Sequence, residues 1–187
     1  ALDELEKFIV KQGYSKYRAQ QIYVWLYKHG AVHTKSMPNL SDKLKSFLDK
    51  TCIFKTLFLS KKSKSIHTVK FLFKTQTGQY IESVSMIDNG RHTVCLSSQV
   101  GCNVDCDFCA TGKMGFKKNL SAGEIIDQLI LIKNHIQTPI TNIVFMGMGE
   151  PFLNYKNVIK AANILNDEKA FNIAAHRITI STAGILP

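Results

Sequence analysis

Three cysteines, Cys102, Cys106 and Cys109, fall within eight residues in GCNVDCDFCATG, with the spacing C-x3-C-x2-C. Thiols so crowded are unusual as inert core residues, and an intracellular chain seldom uses them for disulfides, so the pattern points to metal binding. Zinc and an iron–sulfur cluster are the candidates. A structural zinc site is closed by four ligands, and nothing nearby supplies a C-x-x-C or a His pair to complete one. A four-iron cluster held by three cysteines leaves one iron without a protein ligand, which is a place for chemistry.

A second landmark is FMGMGEP, Phe145 to Pro151, after the apolar run ITNIVF. Its glycines allow close backbone approach, Gly149 among them, and Glu150 supplies a carboxylate suited to an ammonium group. Ser181 closes a further short run, HRITISTAG. Taken singly, the first is an ordinary strand-to-helix turn and the second a small polar residue ending a strand. Both would lie at the carboxyl ends of parallel strands, where α/β folds bind ligands.

The elements that position these residues follow from hydrophobic period. Leu5, Phe8 and Ile9 recur at helical spacing, as do Ile22, Trp25, Leu26 and His29, with Gly30 as a stop. SDKLKSFLDK starts a third helix at Ser41–Asp42. Trp25 belongs to the core of this small basic module by burial habit, and Cys52 reads as packing. TLFLS, HTVKFLFKT and QYIESVSMI alternate as a three-stranded antiparallel meander, with KKSKS and QTGQ as turns and Lys61, Lys62 and Lys64 at one hairpin tip. After Asn89–Gly90, TVCLSS, ITNIVFMG and HRITISTAG alternate with SAGEIIDQLILIKNHI and YKNVIKAANILN, as parallel βαβ units do. The expected fold is α/β: a helical domain (1–52), an antiparallel β adaptor (53–90) and the first part of a (β/α) barrel (91–187).

Composition sets the boundaries. The 187 residues are 45% hydrophobic, which excludes wholesale disorder, and no apolar run approaches the roughly 20 residues of a membrane span. The opening ALDELEKFIV lacks the features of a secretory signal, so a soluble cytoplasmic protein is expected. The net charge of +10 is uneven: residues 1–92 hold 16 basic and 7 acidic side chains, and residues 93–187 hold 8 and 7. A basic front half beside a neutral chemical half suits a polyanion partner.

The three-cysteine spacing is the signature of radical S-adenosylmethionine (SAM) enzymes, and the resemblance runs further. TVCLSSQVGCNVDCDFCATGKMGFKKNL, GMGEP, STAG and YRAQQIYVWLY closely resemble the RlmN/Cfr family, whose RlmN-like members methylate carbon 2 of adenosine in 23S ribosomal RNA, some acting also on transfer RNA. The sister group acts on carbon 8 and typically has Glu-Ala where this chain has Glu150–Pro151, which favours carbon 2. The resemblance implies a [4Fe–4S] cluster on Cys102, Cys106 and Cys109, with S-adenosylmethionine bound by Phe108, Gly149, Glu150 and Ser181. It makes Glu82 the acid–base residue beside the target adenine. Cys95 becomes the thiol that helps resolve a protein–RNA adduct by forming a disulfide with a methyl-carrying cysteine.

That methyl-carrying cysteine lies, in the family, beyond the end of this sequence, so the expectation is that these residues alone do not complete methylation. The implied partners are 23S rRNA, transfer RNA as a second substrate, and an electron-donor protein. No membrane partner is implied, and a monomer is expected. Lys61, Lys62, Lys64, Lys117 and Lys118 are the expected phosphate contacts. The competing reading is a zinc-stabilised RNA-binding module without catalysis.

Overall fold

Apolar residues at helical spacing coil as α1 (Leu2–Lys11) and α2 (Lys16–Tyr27), and α3 (Asp42–Thr51) follows, its amino end capped by Ser41 Oγ, which accepts from Leu44 N at 3.4 Å. This computed structural model describes residues 1–136 and 138–186. The chain forms two compact units, one made of Ala1–Lys55 with Asn163–Asn172, the other of Thr56–Ala162 with the residues from Ile173 onward.

In the first unit Ile9, Ala19, Ile22, Met37, Leu44 and Leu48 form a buried cluster, and Trp25 and Cys52 pack against it half-buried, both as expected. Regular helix ends at Tyr27 rather than at the expected Gly30. Gly30, at φ +68°, then turns the chain so that Ala31 N–H reaches Trp25 O at 2.9 Å. The segment Asn163–Asn172 completes the unit: Tyr23 Oη donates to Asp167 Oδ2 at 3.0 Å, and the Tyr27 and Phe171 rings lie 6.1 Å apart. Burial and the Asp167 carboxylate hold the Tyr23 phenol above its usual pKa.

The second unit is built on β1 (Leu57–Lys64), β2 (Thr68–Thr75), β3 (Tyr80–Asp88), β4 (Arg91–Cys95), β7 (Asn142–Phe145) and β8 (Ile178–Ile180). They form one sheet in the order β1-β2-β3-β4-β7-β8. The first four strands are antiparallel, and β4, β7 and β8 are parallel. Between β4 and β7 come β5 (Gln99–Val100), α4 (Ala110–Lys113), β6 (Lys118–Asn119) and α5 (Ala122–His135); α6 (Tyr155–Asn166) follows β7. The mixed α/β fold is as expected.

Two details differ from the sequence reading. KKSK is strand, not turn: β1 continues through Lys64, with Lys61 opposite Leu72, Lys62 opposite Phe71 and Lys64 opposite Val69 after a register shift at Leu59/Lys61. The physical reason is that β1 is the sheet edge, where backbone pairing to β2 is available while lysines face water and discourage further strand addition. The meander also gains β4 as a fourth strand, because Asn89–Gly90, both at positive φ, make a tight turn that returns the chain beside β3.

The sheet has two unlike faces. Phe71, Phe73, Ile81, Ser83, Val94 and Ile143 are buried on one of them. Helix α5 packs against β1 and β2, and its residues from Glu124 to Ile132 are buried without a break. Its start is a capping box of Ser121 and Glu124. The opposite face presents Leu72, Glu82, Val84 and Val144, all half-buried, and Cys95.

Candidate active site

Three loops leave the carboxyl ends of the neighbouring parallel strands β4, β7 and β8, and hydrogen bonds tie them together. Ser98 N and Gln99 N donate to Met148 O at 2.8 and 3.1 Å, and Gly147 N donates to Leu96 O at 3.1 Å. Gln99 Oε1 accepts from Glu150 N at 2.8 Å. The Glu150 carboxylate, itself buried, accepts from Phe152 N at 2.9 Å and from Ala183 N at 2.8 Å, so one side chain joins the glycine loop to the loop that begins at Ser181. Close approach is essential here. A Cβ on Gly149, which sits at φ +98°, would collide with Gln99, and one on Gly147 would come within 2.7 Å of Ser97 Oγ.

Sequence reasoning missed the polar scaffold behind these loops. Gln128, fully buried on α5, donates to Ser97 O at 2.9 Å and accepts from Ser97 N at 2.8 Å and Ser83 Oγ at 2.7 Å. Asn154 donates to Ser98 O at 2.8 Å and Leu120 O at 2.7 Å. The signal was present in IIDQLILI, where a carboxylate and an amide, Asp127 and Gln128, interrupt an apolar run. Buried amides of that kind are held by partners that only the fold reveals.

The cysteine loop is clasped at its base by β5 and β6, which pair Gln99 with Asn119 and Val100 with Lys118. Lys117 N adds a bond to Val100 O at 2.9 Å. The two arms approach so closely that a Cβ on Gly101, at φ +72°, would strike the Gly115 carbonyl. Cys102 is buried, Cys106 and Cys109 are half-buried, and all three are free thiols. Phe108 projects from the loop, 93% exposed. The backbone N–H of Gly112 lowers the Cys109 pKa, burial works against it, and hydrogen bonds from Thr111 add a smaller lowering. Among the described residues no three His, Cys, Asp or Glu side chains converge as a ready metal group. By donor set the loop suits a thiolate-bound centre, although the three thiols are not drawn together as one in this structure.

Glu82 and Cys95 share the open face of the sheet. Cys95 is directly opposite Val84, two positions from Glu82, and beside Val144 on β7. The Glu82 backbone is tied into the loops: its N–H donates to Met148 Sδ at 3.3 Å, and its carbonyl accepts from Ser97 Oγ at 2.5 Å. Its carboxylate pairs with Lys70 Nζ at 2.9 Å, a partner sequence reasoning did not identify. Burial pushes the Cys95 thiol above its usual pKa, against a smaller opposing effect from the Met146 backbone. Of the expected phosphate contacts, Lys118 is committed to Glu124 at 2.7 Å in a largely shielded pair, while Lys61, Lys62, Lys64 and Lys117 are exposed.

Comparison with known proteins fits this arrangement. Residues 96–187 match the family model of the radical SAM superfamily, and residues 1–54 match that of the ribosomal RNA large subunit methyltransferase N-terminal domain. A crystal structure of a radical SAM methyltransferase from Sphaerobacter thermophilus superimposes with a TM-score of 0.93 at 41% identity, covering 99% of this chain and 56% of that one. The probable dual-specificity RNA methyltransferase RlmN of Cytophaga hutchinsonii is 45% identical over 98% of this chain and 52% of its own length. The dual-specificity RNA methyltransferase RlmN of Geotalea uraniireducens is 42% identical over 100% of this chain and 54% of its own. The chain belongs to the RlmN family of radical SAM methyltransferases. It spans about half the length of the curated relatives it matches. Membership implies a [4Fe–4S] cluster and S-adenosylmethionine as cofactors. Among the described residues no helix is long and apolar enough to cross a membrane.

Proposed function

We propose that the protein to which these residues belong methylates carbon 2 of adenosine in 23S ribosomal RNA and in transfer RNA, through a methyl-cysteine intermediate. The observation that carries this reading is the junction of the clasped three-thiol loop with the Glu150 and Ser181 loops, at the strand ends beside Glu82 and Cys95. When bound, the cluster and S-adenosylmethionine supply one-electron cleavage of a sulfonium and a methyl group, which an electron-poor ring carbon cannot obtain by simple nucleophilic attack.

The chain's own residues have distinct tasks. Cys102, Cys106 and Cys109 would hold the cluster. A carboxylate offers about four acceptor positions, so the two N–H groups on Glu150 leave room for the ammonium of the methionine end, beside Gly149 and Ser181. Phe108 offers an aromatic face next to the thiols. Glu82, with Lys70 as its counter-ion, moves the proton that must leave the methylated base. Cys95 is the thiol that helps release the adduct. Lysines of the edge strand and Lys117 bind phosphates, giving affinity and register without reading sequence. In this reading residues 1–52 dock RNA, 53–90 connect and 91–187 carry the chemistry. The enzyme works as a cytoplasmic monomer supplied by an electron-donor protein.

The test is anaerobic iron and sulfide analysis together with mass spectrometry of RNA from cells carrying or lacking the gene. A brown, iron- and sulfide-containing sample and a 2-methyladenosine peak that disappears with the gene are expected. A colourless sample with stoichiometric zinc, and RNA unchanged by deletion, would overturn the proposal in favour of a zinc-stabilised binding module.

A further inference from the structure

We propose that a pocket on the helical unit holds one unstacked RNA base together with its phosphate. The inference rests on the RNA substrate proposed above and deepens it by locating a contact away from the reacting adenine. Tyr17, Gln21 and Trp25 stand at i, i+4 spacing along α2, and His29 follows just past the helix end, so the four line one ridge. The Trp25 and His29 rings are 4.5 Å apart and tilted by 40°. With Asn39 and Lys169, they border a cavity of about 340 Å³, at the small end of the range of roughly 300–1,000 Å³ for ligand pockets.

The chemistry of the walls selects the occupant. Trp25 packs one side against the helical core, while its indole N–H has no hydrogen-bond partner among the described residues. Tyr17 is 61% exposed. Such rings stack on any base, because every base has a π face. Side-chain amides of Gln21 and Asn39 match the donor and acceptor edges of a splayed base. Gln21 is already oriented, its Oε1 accepting from Arg18 Nη1 at 2.7 Å. Lys169 and Arg18 supply cations for the adjoining phosphate, and the unit carries 11 Lys and Arg against 7 Asp and Glu. An apolar peptide would satisfy the rings but desolvate the amides and the ammonium without return.

Trp25 is the only tryptophan in the sequence, so its emission reports this pocket alone. The experiment titrates the full chain with oligoadenylate, and with an abasic ribose-phosphate oligomer of equal length, following Trp25 fluorescence. Anisotropy of a labelled oligoadenylate is recorded in parallel. The expected result is quenching by oligoadenylate and none by the abasic oligomer. Affinity should fall roughly tenfold in Tyr17→Ser, the size of one lost base stack, and by a smaller factor in Lys169→Ala. Both side chains are exposed, and unchanged melting curves would exclude misfolding. RNA bound by anisotropy with Trp25 emission unchanged, or with both variants binding normally, would overturn the pocket and leave the RNA substrate standing. Equal quenching by the abasic oligomer would remove the base from the proposal. Quenching by an apolar peptide but not by RNA would assign the pocket to a protein partner. No anisotropy change with RNA would take the substrate reading down as well.

Discussion

Glu82 is fixed by its backbone, while its tip is half-exposed. Its N–H and C=O bind Met148 and Ser97, whereas among the described residues its carboxylate meets only the half-exposed Lys70. An exposed pair of this kind contributes about 0–1 kcal/mol. If the proposed function holds, Glu82→Gln should leave the urea midpoint almost unmoved while lowering methylation by the whole protein about 10²- to 10⁴-fold, the usual reach of a general acid–base group. Parallel loss of stability and activity would instead make it a structural residue. Cys95 permits a test by pH. Its buried thiol has a raised pKa, so its contribution to stability is intact below the unfolded value of about 8.5 and is lost as pH rises through the folded value. Melting temperature should fall with pH above that point, and less steeply in Cys95→Ala. At this scale type and spacing made the thiols and Glu150 candidates in the sequence, whereas Glu82 became one only through the family resemblance. Lys70 stayed invisible because it is distant from Glu82 in sequence and meets it only through strand register.

The smallest elements hold the site. Strands β5 and β6, two residues each, close the cysteine loop, and no period-2 pattern can be read from two residues. The long elements were legible because apolar period accumulates over many residues. KKSK misled because lysine content suggests a turn when it marks an edge. Gly101→Ala adds a methyl against a backbone carbonyl at a φ that L residues avoid. It should lower the melting temperature and reduce bound iron per chain in anaerobic reconstitution; normal iron content would show that the clasp does not shape the metal loop. Gln128→Leu strands the Ser83 hydroxyl and both backbone groups of Ser97. The expected cost is about 1–3 kcal/mol per group left unpaired, read from the shift in the urea midpoint.

For the whole molecule, charge and chain path matter most. Replacing Lys61, Lys62 and Lys64 by Gln should weaken RNA binding similarly for unrelated sequences. It should also flatten the plot of log K against log salt by up to about 2, at roughly 0.7 per single-strand phosphate contact. An unchanged slope would remove the edge strand from the RNA interface. The uneven charge of the chain was visible in the residue count. The contribution of Asn163–Asn172 to the first unit was not, because no local pattern announces a partner 144 residues away, as Asp167 is to Tyr23. That tie bears on biosynthesis. The ribosome makes α1, α2 and α3 first, yet the piece that finishes their unit emerges only after most of the sheet has been translated, so the newborn helices must wait unfinished through that interval.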